Sequence, residues 1–135
     1  VASDDASLQA TITLIRTRLA NGEPEVALQL AEAAAAAAPD NPAARTTLAA
    51  TLAATGDVDG AVSIYRAMIA DGSGGADIWR RLVVTLFQEG QVDAGQAAMN
   101  DAIAAHPDDP QLTWMQASRM EQASSVLYPI SFLSL

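Results

Sequence analysis

Residues 52–61 read LAATGDVDGA, and comparable stretches lie 34 positions away on either side: RLANGEPEVA at residues 18–27 and LFQEGQVDAG at residues 86–95. The glycines near their centres are Gly22, Gly56 and Gly90. A glycine between two apolar helical patterns indicates a helix end, because glycine readily adopts the left-handed conformation that closes a helix. The stretch therefore predicts a turn between two helices that recurs along the chain.

The 34-residue offset also relates residues of other chemical types. The related sets are Leu14, Leu48 and Leu82; Ala27, Ala61 and Gly95; and Glu25, Asp59 and Asp93. Several residue types in one register indicate a structural repeat. We predict a repeat domain over residues 1–123, with full repeats at 8–41, 42–75 and 76–109 and a partial repeat at 110–123.

Each repeat carries two amphipathic helical patterns. In the middle repeat, Leu48 and Leu52 share a face of the first helix, and Ala61, Tyr65 and Met68 form an apolar face on the second. The joints between repeats contain helix breakers: Pro39-Asp40-Asn41-Pro42, Asp71-Gly72-Ser73-Gly74-Gly75 and Pro107-Asp108-Asp109-Pro110. Their polar side chains can cap the helix that follows, and the glycine-rich joint is expected to be the loosest.

These residues resemble the pattern of the tetratricopeptide repeat family. The matching positions are Leu14, Gly22, Ala27 and Pro39; Leu48, Gly56, Ala61 and Tyr65; and Trp79, Leu82, Gly90, Gly95 and Pro107. The first repeat departs from the pattern with Thr11 and Ala31 at its two aromatic positions, and the second has Arg45 in place of tryptophan. The resemblance implies an all-α fold, a right-handed superhelix of antiparallel helix pairs.

Composition and charge exclude several classes of function. The formal net charge is −9, from 16 acidic residues against 7 basic ones. Such a surface repels nucleic acid and anionic lipid, so neither is an expected partner. No run of about 18 apolar residues is present, and we expect no membrane span. Without an initiator methionine, the chain is expected to be a mature product or an excised piece.

The sequence offers no candidate for catalysis, a metal or a cofactor. His106 is the only histidine and cysteine is absent, which argues against a zinc site. His106 precedes Pro107 at a predicted helix end, where a structural role explains it better than a catalytic one. The glycines of residues 72–75 lack the Lys-Ser/Thr that follows in a phosphate-binding loop. We therefore predict a protein that is not an enzyme.

Residues 124–135 differ from the repeats. Register places Ser124 where a turn glycine would stand, the segment carries no charge, and Pro129 is expected to interrupt any helix. This apolar tail is a natural terminus, a truncation or appended peptide, or an extended segment that packs on the repeats. Our hypothesis is that it occupies an apolar surface of its own chain or of a neighbouring copy.

The family resemblance implies a concave face lined by the first helix of each repeat. The candidate peptide-binding residues on that face are Arg16, Thr47, Arg80, Arg81, Val84, Phe87 and Trp114. Arg80 and Arg81 could receive a peptide carboxylate through paired donors, or could instead be solvated or pair with acids such as Asp77. Of the clamp residues with which some family members grip a carboxylate terminus, only Arg81 matches, which argues against a heat-shock co-chaperone.

Three functions remain open. The chain is a scaffold or adaptor that binds a peptide segment of a partner protein, or a structural module in which the exposed repeat end and the tail join copies into a homo-oligomer. It could also be the interaction part of a larger enzyme or secretion component. A lysine-free, alanine- and arginine-rich composition suggests a GC-rich bacterial source, with periplasm and cytoplasm both open.

Overall fold

Seven helices and no strand make up residues 2–133, the part of the chain whose backbone the computed structural model describes; side chains are described for residues 6–121. The helices are α1 (Ala2–Ala20), α2 (Pro24–Ala37), α3 (Pro42–Ala54), α4 (Val58–Asp71), α5 (Gly75–Gln88), α6 (Val92–Ala105) and α7 (Pro110–Leu133). Each helix packs against the next one along the chain, which produces a helical repeat solenoid. The predicted all-α repeat fold is confirmed.

The three recurring glycines close the first helix of each repeat, as the sequence predicts. Gly22, Gly56 and Gly90 have φ angles of +75°, +101° and +77°. The residue after each glycine donates its backbone N–H to the carbonyl five positions earlier: Glu23 to Arg18 at 2.8 Å, Asp57 to Leu52 at 2.8 Å and Gln91 to Leu86 at 3.0 Å. This bond satisfies a carbonyl that the helix end leaves free and turns the chain back on itself.

Side-chain caps begin the helices at two of the three joints between repeats. Asn41 Oδ1 accepts hydrogen bonds from two backbone N–H groups in the first turn of α3, at 2.9 and 3.2 Å. Asp109 Oδ1 caps α7 in the same way, with both N···O distances at 3.0 Å. The two caps are 68 residues apart, so the repeat register extends to the caps as predicted.

The middle joint is held differently. Gly75 occupies the register position of the two capping residues, and Gly74 before it has φ +85° and gives α5 no side-chain cap. Instead, Arg45 Nη1 of α3 pairs with Asp71 Oδ2 at 2.7 Å, and Asp71 also accepts hydrogen bonds from Ser73. The Ser73 hydroxyl, followed by Arg45, holds the pKa of Asp71 below its ordinary value.

At the last joint, an ion pair adds to the cap. Arg80 Nη1 of α5 lies 2.6 Å from Asp109 Oδ2, and both side chains are mostly shielded from solvent. The pKa of Asp109 is below its ordinary value, first because the backbone N–H of Leu112 donates to the carboxylate and then because Arg80 does; partial burial opposes both. This carboxylate therefore ties α5 to the start of α7.

Burial along one register position shows how each repeat depends on its neighbour. Leu82 is fully buried and Leu48 is partly buried, whereas Leu14 is 40% exposed. The main core cluster spans α3 to α6, and a smaller one of Ile15, Ala27 and Ala31 joins α1 and α2. A position that is core in the interior of a solenoid is thus exposed at its first helix.

In the third repeat, a large residue on α5 matches a missing side chain on α6. A Cβ on Gly95 would lie 2.8 Å from the ring of Phe87, closer than carbon atoms approach without something shifting. The guanidinium of Arg119 lies over the same ring, 3.9 Å from its centroid. The equivalent pairs in the first two repeats are Leu19 with Ala27 and Ala53 with Ala61. The third repeat therefore has a larger side chain on its first helix and a smaller one on its second, a change that we call the volume exchange.

The last helix runs further than the sequence predicts. The backbone of α7 stays helical to Leu133, through Ser124 and past Pro129, where we expected an interruption and considered an extended segment. Because serine replaces glycine at position 124, no left-handed residue ends the helix there. Residues 134 and 135 lie outside the described part of the chain. Neither α7 nor another helix of residues 2–133 is long and apolar enough to cross a membrane.

Replacing Asp109 by asparagine should make stability less dependent on acid. Asparagine keeps the cap, as Asn41 shows, but cannot carry the charge that pairs with Arg80. The pKa of Asp109 is lower in the folded than in the unfolded protein, so its carboxylate stabilises the fold at pH values above the ordinary pKa of about 4. This stabilisation is lost as the pH falls through the lower pKa of the folded state. Urea unfolding from pH 7 down to about pH 2 should therefore show the Asp109→Asn deficit shrinking toward acid; a deficit independent of pH would contradict this.

Gly95→Ala should destabilise the protein by about 1 kcal/mol, even though alanine favours helix over glycine by about 1 kcal/mol. The new methyl group meets the Phe87 ring, and overpacking costs about 1–3 kcal/mol. In a Phe87→Leu background the same substitution should become stabilising. Chemical denaturation of the four members of this double-mutant cycle measures the coupling, and an equal effect of Gly95→Ala in both backgrounds would refute the volume exchange.

Candidate peptide-binding groove

The first helices of the repeats, α1, α3 and α5, line two adjoining cavities. One, of about 380 Å³, is lined by side chains of α1 and α3 together with the start of α5. The other, of about 450 Å³, is lined by α3, α5 and Tyr65 of α4. Ala50 and Arg81 belong to both linings, so the two cavities form one surface, which we call the groove.

Five of the seven predicted site residues line the groove. Arg16 and Thr47 lie in the first cavity, Arg80 and Val84 in the second, and Arg81 at the junction of the two. They come from three helices, and the 34-residue register brings them together because it gives α1, α3 and α5 equivalent positions in the stack.

Phe87 does not line either cavity. Its ring packs against α6 at Gly95 and beneath Arg119, and it joins the main core cluster. Register places it with Leu19, which does line the groove. The half-buried ring of Phe87 thus occupies the space left by the missing Cβ of Gly95 and is turned away from the two cavities, although Phe87 was among the candidate peptide-binding residues.

Trp114 also lies outside both cavities, but for a different reason. It is 69% exposed on α7, the helix that follows the groove-forming three. In register it continues the row of Ile12, Thr46 and Arg80, which all line the groove. The side chain of Trp114 is therefore mostly exposed on the surface.

The two adjacent arginines are already paired with carboxylates. Arg81 Nε lies 3.0 Å from Asp77 Oδ2, one helical turn away. Arg80 Nη2 lies 3.6 Å from the other oxygen of Asp77, in addition to its pair with Asp109. Partial burial works against the charge of Arg81, yet the hydrogen bond and the charge of Asp77 outweigh it, so its pKa lies above the ordinary value. Of the two alternatives for these arginines, pairing with nearby acids is present in the structure.

Tyr65 is a groove residue that sequence reasoning assigned only to the core. It is 3% exposed, yet it contributes to the lining of the second cavity close to Arg81. Burial raises the pKa of the Tyr65 hydroxyl, and the nearby guanidinium of Arg81 partly offsets this rise. The sequence placed Tyr65 in the core because it belongs to the apolar face of α4. The periodicity of that face does not indicate whether a buried residue also lines a cavity.

The floor of the groove is made by α3 and consists of small side chains. Ala43, Ala50 and Ala54 present methyl groups, while Thr47 and Thr51 each donate their hydroxyl hydrogen to the carbonyl four residues earlier, at 2.7 Å. Thr85 of α5 does the same toward Arg81. Thr46, also in the lining, has only Met68 Sδ as an acceptor, at 4.0 Å. The floor therefore offers apolar surface and hydroxyl oxygens but few hydroxyl hydrogens.

No cluster of three or more histidine, aspartate or glutamate residues suited to a metal ion occurs in the described part of the chain. The charged groups of the groove are Arg16, Asp77, Arg80 and Arg81. Their geometry suits the recognition of charge and shape by hydrogen bonds and ion pairs.

Comparison with known proteins identifies the family to which this architecture belongs. The sequence profile of the tetratricopeptide repeat family matches this chain twice, at residues 18–73 and 52–118. No curated protein matches the chain significantly in sequence.

Several solved structures share the fold at low sequence identity. The secretion chaperone SycD of Yersinia enterocolitica, in complex with a peptide of the translocator YopD, is 18% identical with a TM-score of 0.62, and 96% of each chain is covered. The Sgt2 repeat domain of Aspergillus fumigatus is 20% identical with a TM-score of 0.62, over 88% of this chain and 82% of that one.

An O-GlcNAc transferase mutant of Thermobaculum terrenum is 24% identical with a TM-score of 0.58, over 78% of this chain. This chain covers only 20% of the transferase. Since the family description covers well over half of the residues and the helices recur in its register, the chain belongs to the tetratricopeptide repeat family.

Proposed function

We propose that this chain is a protein-interaction module, without catalytic activity of its own, that binds a peptide segment of a partner protein in the groove. One observation carries the proposal. In a chain of net charge −9, the groove gathers three arginines, Arg16, Arg80 and Arg81, against two carboxylates: Asp77 in its lining and Asp109, which pairs with Arg80 from outside it. A local excess of positive charge on an acidic protein favours a ligand segment that carries carboxylates.

The comparisons support a role in binding. The SycD structure, whose fold matches nearly the whole of this chain, holds a peptide of a translocator protein. The Thermobaculum transferase shows that such repeats also occur within a much longer enzyme chain. By analogy, the ligand of this chain is a peptide and its contacts are Arg16, Thr47, Arg80, Arg81 and Val84, with Trp114 beyond them.

A second function has separate support at the end of the solenoid. α7 packs on α6, but Trp114 and Met120 of α7 are 69% and 64% exposed. Large apolar side chains on a terminal helix favour association with another surface. In this alternative, α7 and the residues that follow it, up to residue 135, join copies of the chain into a homo-oligomer.

Arg81→Glu should abolish capture of the partner while leaving the fold intact. The new carboxylate faces Asp77 one turn away, which costs a few tenths of a kcal/mol, and it reverses the charge at the junction of both cavities. Pull-downs from a lysate of the source organism, read by mass spectrometry, should lose a protein that wild type retains. The matched control is Arg66→Glu, the same charge change at an exposed position on α4 outside the groove.

The same variants separate the two functions. Equal capture by wild type, Arg81→Glu and Arg66→Glu would reject the groove as the binding site. Sedimentation velocity on the intact chain and on a variant without residues 124–135 then tests the alternative. A mass that rises with concentration, and that falls to the monomer when the segment is removed, would favour self-assembly.

Ala50→Trp should weaken partner binding by at least about tenfold without changing any charge. Ala50 is exposed and lines both cavities, so an indole there fills space that the ligand needs, while the fold should change by no more than about 0.5 kcal/mol. Ala70→Trp, at an exposed position of α4, is the matched control. Isothermal titration with the captured segment checks this, and an unchanged affinity for Ala50→Trp would place binding elsewhere.

A further inference from the structure

The hydrogen-bonding capacity of the groove restricts the shape of its ligand. Every residue of an extended segment brings a backbone N–H and a C=O that need partners once they are buried. Along the floor, Thr47 and Thr51 have given their hydroxyl hydrogens to carbonyls of α3 itself, and the alanines have none to give. Thr46 is the exception, since its hydroxyl reaches only Met68 Sδ at 4.0 Å. Along the rest of this floor, carbonyl groups of an extended segment would lack donors.

Apart from Thr46 and the buried Tyr65, the other side-chain donors lie on the walls of the groove. Gln9 and Arg16 belong to α1, and Arg80, Arg81 and Gln88 belong to α5. No carboxylate within residues 6–121 forms an ion pair with Arg16, whereas Arg80 and Arg81 share Asp77. The groove thus places charge on either side of a floor that has few donors.

We infer that the ligand segment is an amphipathic α-helix with small or apolar side chains on one face and carboxylates beside them. A helix satisfies its own backbone hydrogen bonds, so it loses little over a floor with few donors. The alanines of α3 let a second helix approach closely, and its flanking carboxylates would reach Arg16 on one wall and Arg81 on the other. The three arginines exceed the two aspartates that pair with them, Asp77 and Asp109, so the lining is complementary to that charge.

This inference rests on the proposed function and is tested on the full-length chain with a display library of random peptides of about 15 residues, long enough for about four helical turns. Peptides retained by wild type and by Arg66→Glu but lost by Arg81→Glu are groove ligands. We expect them to carry small or apolar residues at spacings of three and four, with Asp or Glu next to that face.

Proline placement then separates helix from extended chain. Proline at the first position of a selected peptide is compatible with a helix, whereas proline at its centre breaks one. We expect the central substitution to weaken binding by at least about tenfold and the terminal one to leave binding within about twofold, because a broken central turn costs several kcal/mol. Replacing the acidic residues by their amides should weaken binding to wild type more than to Arg16→Gln.

The outcomes distinguish the inference from the function on which it rests. Groove ligands that alternate in polarity with a period of two, or that tolerate proline equally at both places, would overturn the helical ligand and leave groove binding standing. A library that yields no peptide dependent on Arg81 would overturn both. If helical ligands bind wild type and Arg16→Gln with equal affinity, both before and after their acidic residues are replaced, Arg16 makes no contact with a ligand carboxylate. That outcome would overturn the contact proposed at α1.

Discussion

The structure depends on a left-handed glycine that reverses the chain after the first helix of each repeat. A positive φ costs other residues about 1–2 kcal/mol, so Gly22, Gly56 and Gly90 fix where each reversal occurs. The bond to the carbonyl five residues earlier makes the three reversals alike. Because the same turn recurs every 34 residues, each helix pair buries the same faces, and α1, α3 and α5 come to lie side by side.

Once the backbone is fixed in this way, side chains at equivalent positions of the repeats determine the chemistry of the groove. Positions 12, 46 and 80 hold isoleucine, threonine and arginine, and positions 13, 47 and 81 hold two threonines and an arginine. The backbone repeats while the chemistry changes, so the third repeat supplies two of the groove's three arginines. Binding specificity can therefore change without disturbing the turns on which the fold depends.

Much of this architecture is readable in the sequence because its signals are local. The turn glycines follow from the register, and the breaker segments at the first and last joints contain the capping residues Asn41 and Asp109. Most of the groove residues were expected from the family resemblance. The placement of Phe87 was not, since it depends on the missing Cβ of Gly95 across a helix pair. The Arg45–Asp71 pair, formed over 26 residues, leaves no local pattern either. The backbone of α7 stays helical beyond residue 123 and past Pro129, so the break expected at that proline is absent.

The pairs made by the groove arginines affect how tightly a ligand can bind. A ligand carboxylate that reaches Arg81 competes with Asp77, and one that reaches Arg80 competes with the cap of α7 through Asp109. Part of the new interaction therefore replaces an existing one, and the net gain in affinity is smaller than the contact suggests. Arg16 makes no such pair within residues 6–121, so a carboxylate there displaces no partner from that part of the chain. We expect the α5 wall to discriminate among acidic ligands and the α1 wall to contribute more of the affinity. A ligand carboxylate must displace Asp77 or Asp109 at α5, whereas at Arg16 it displaces no carboxylate of residues 6–121.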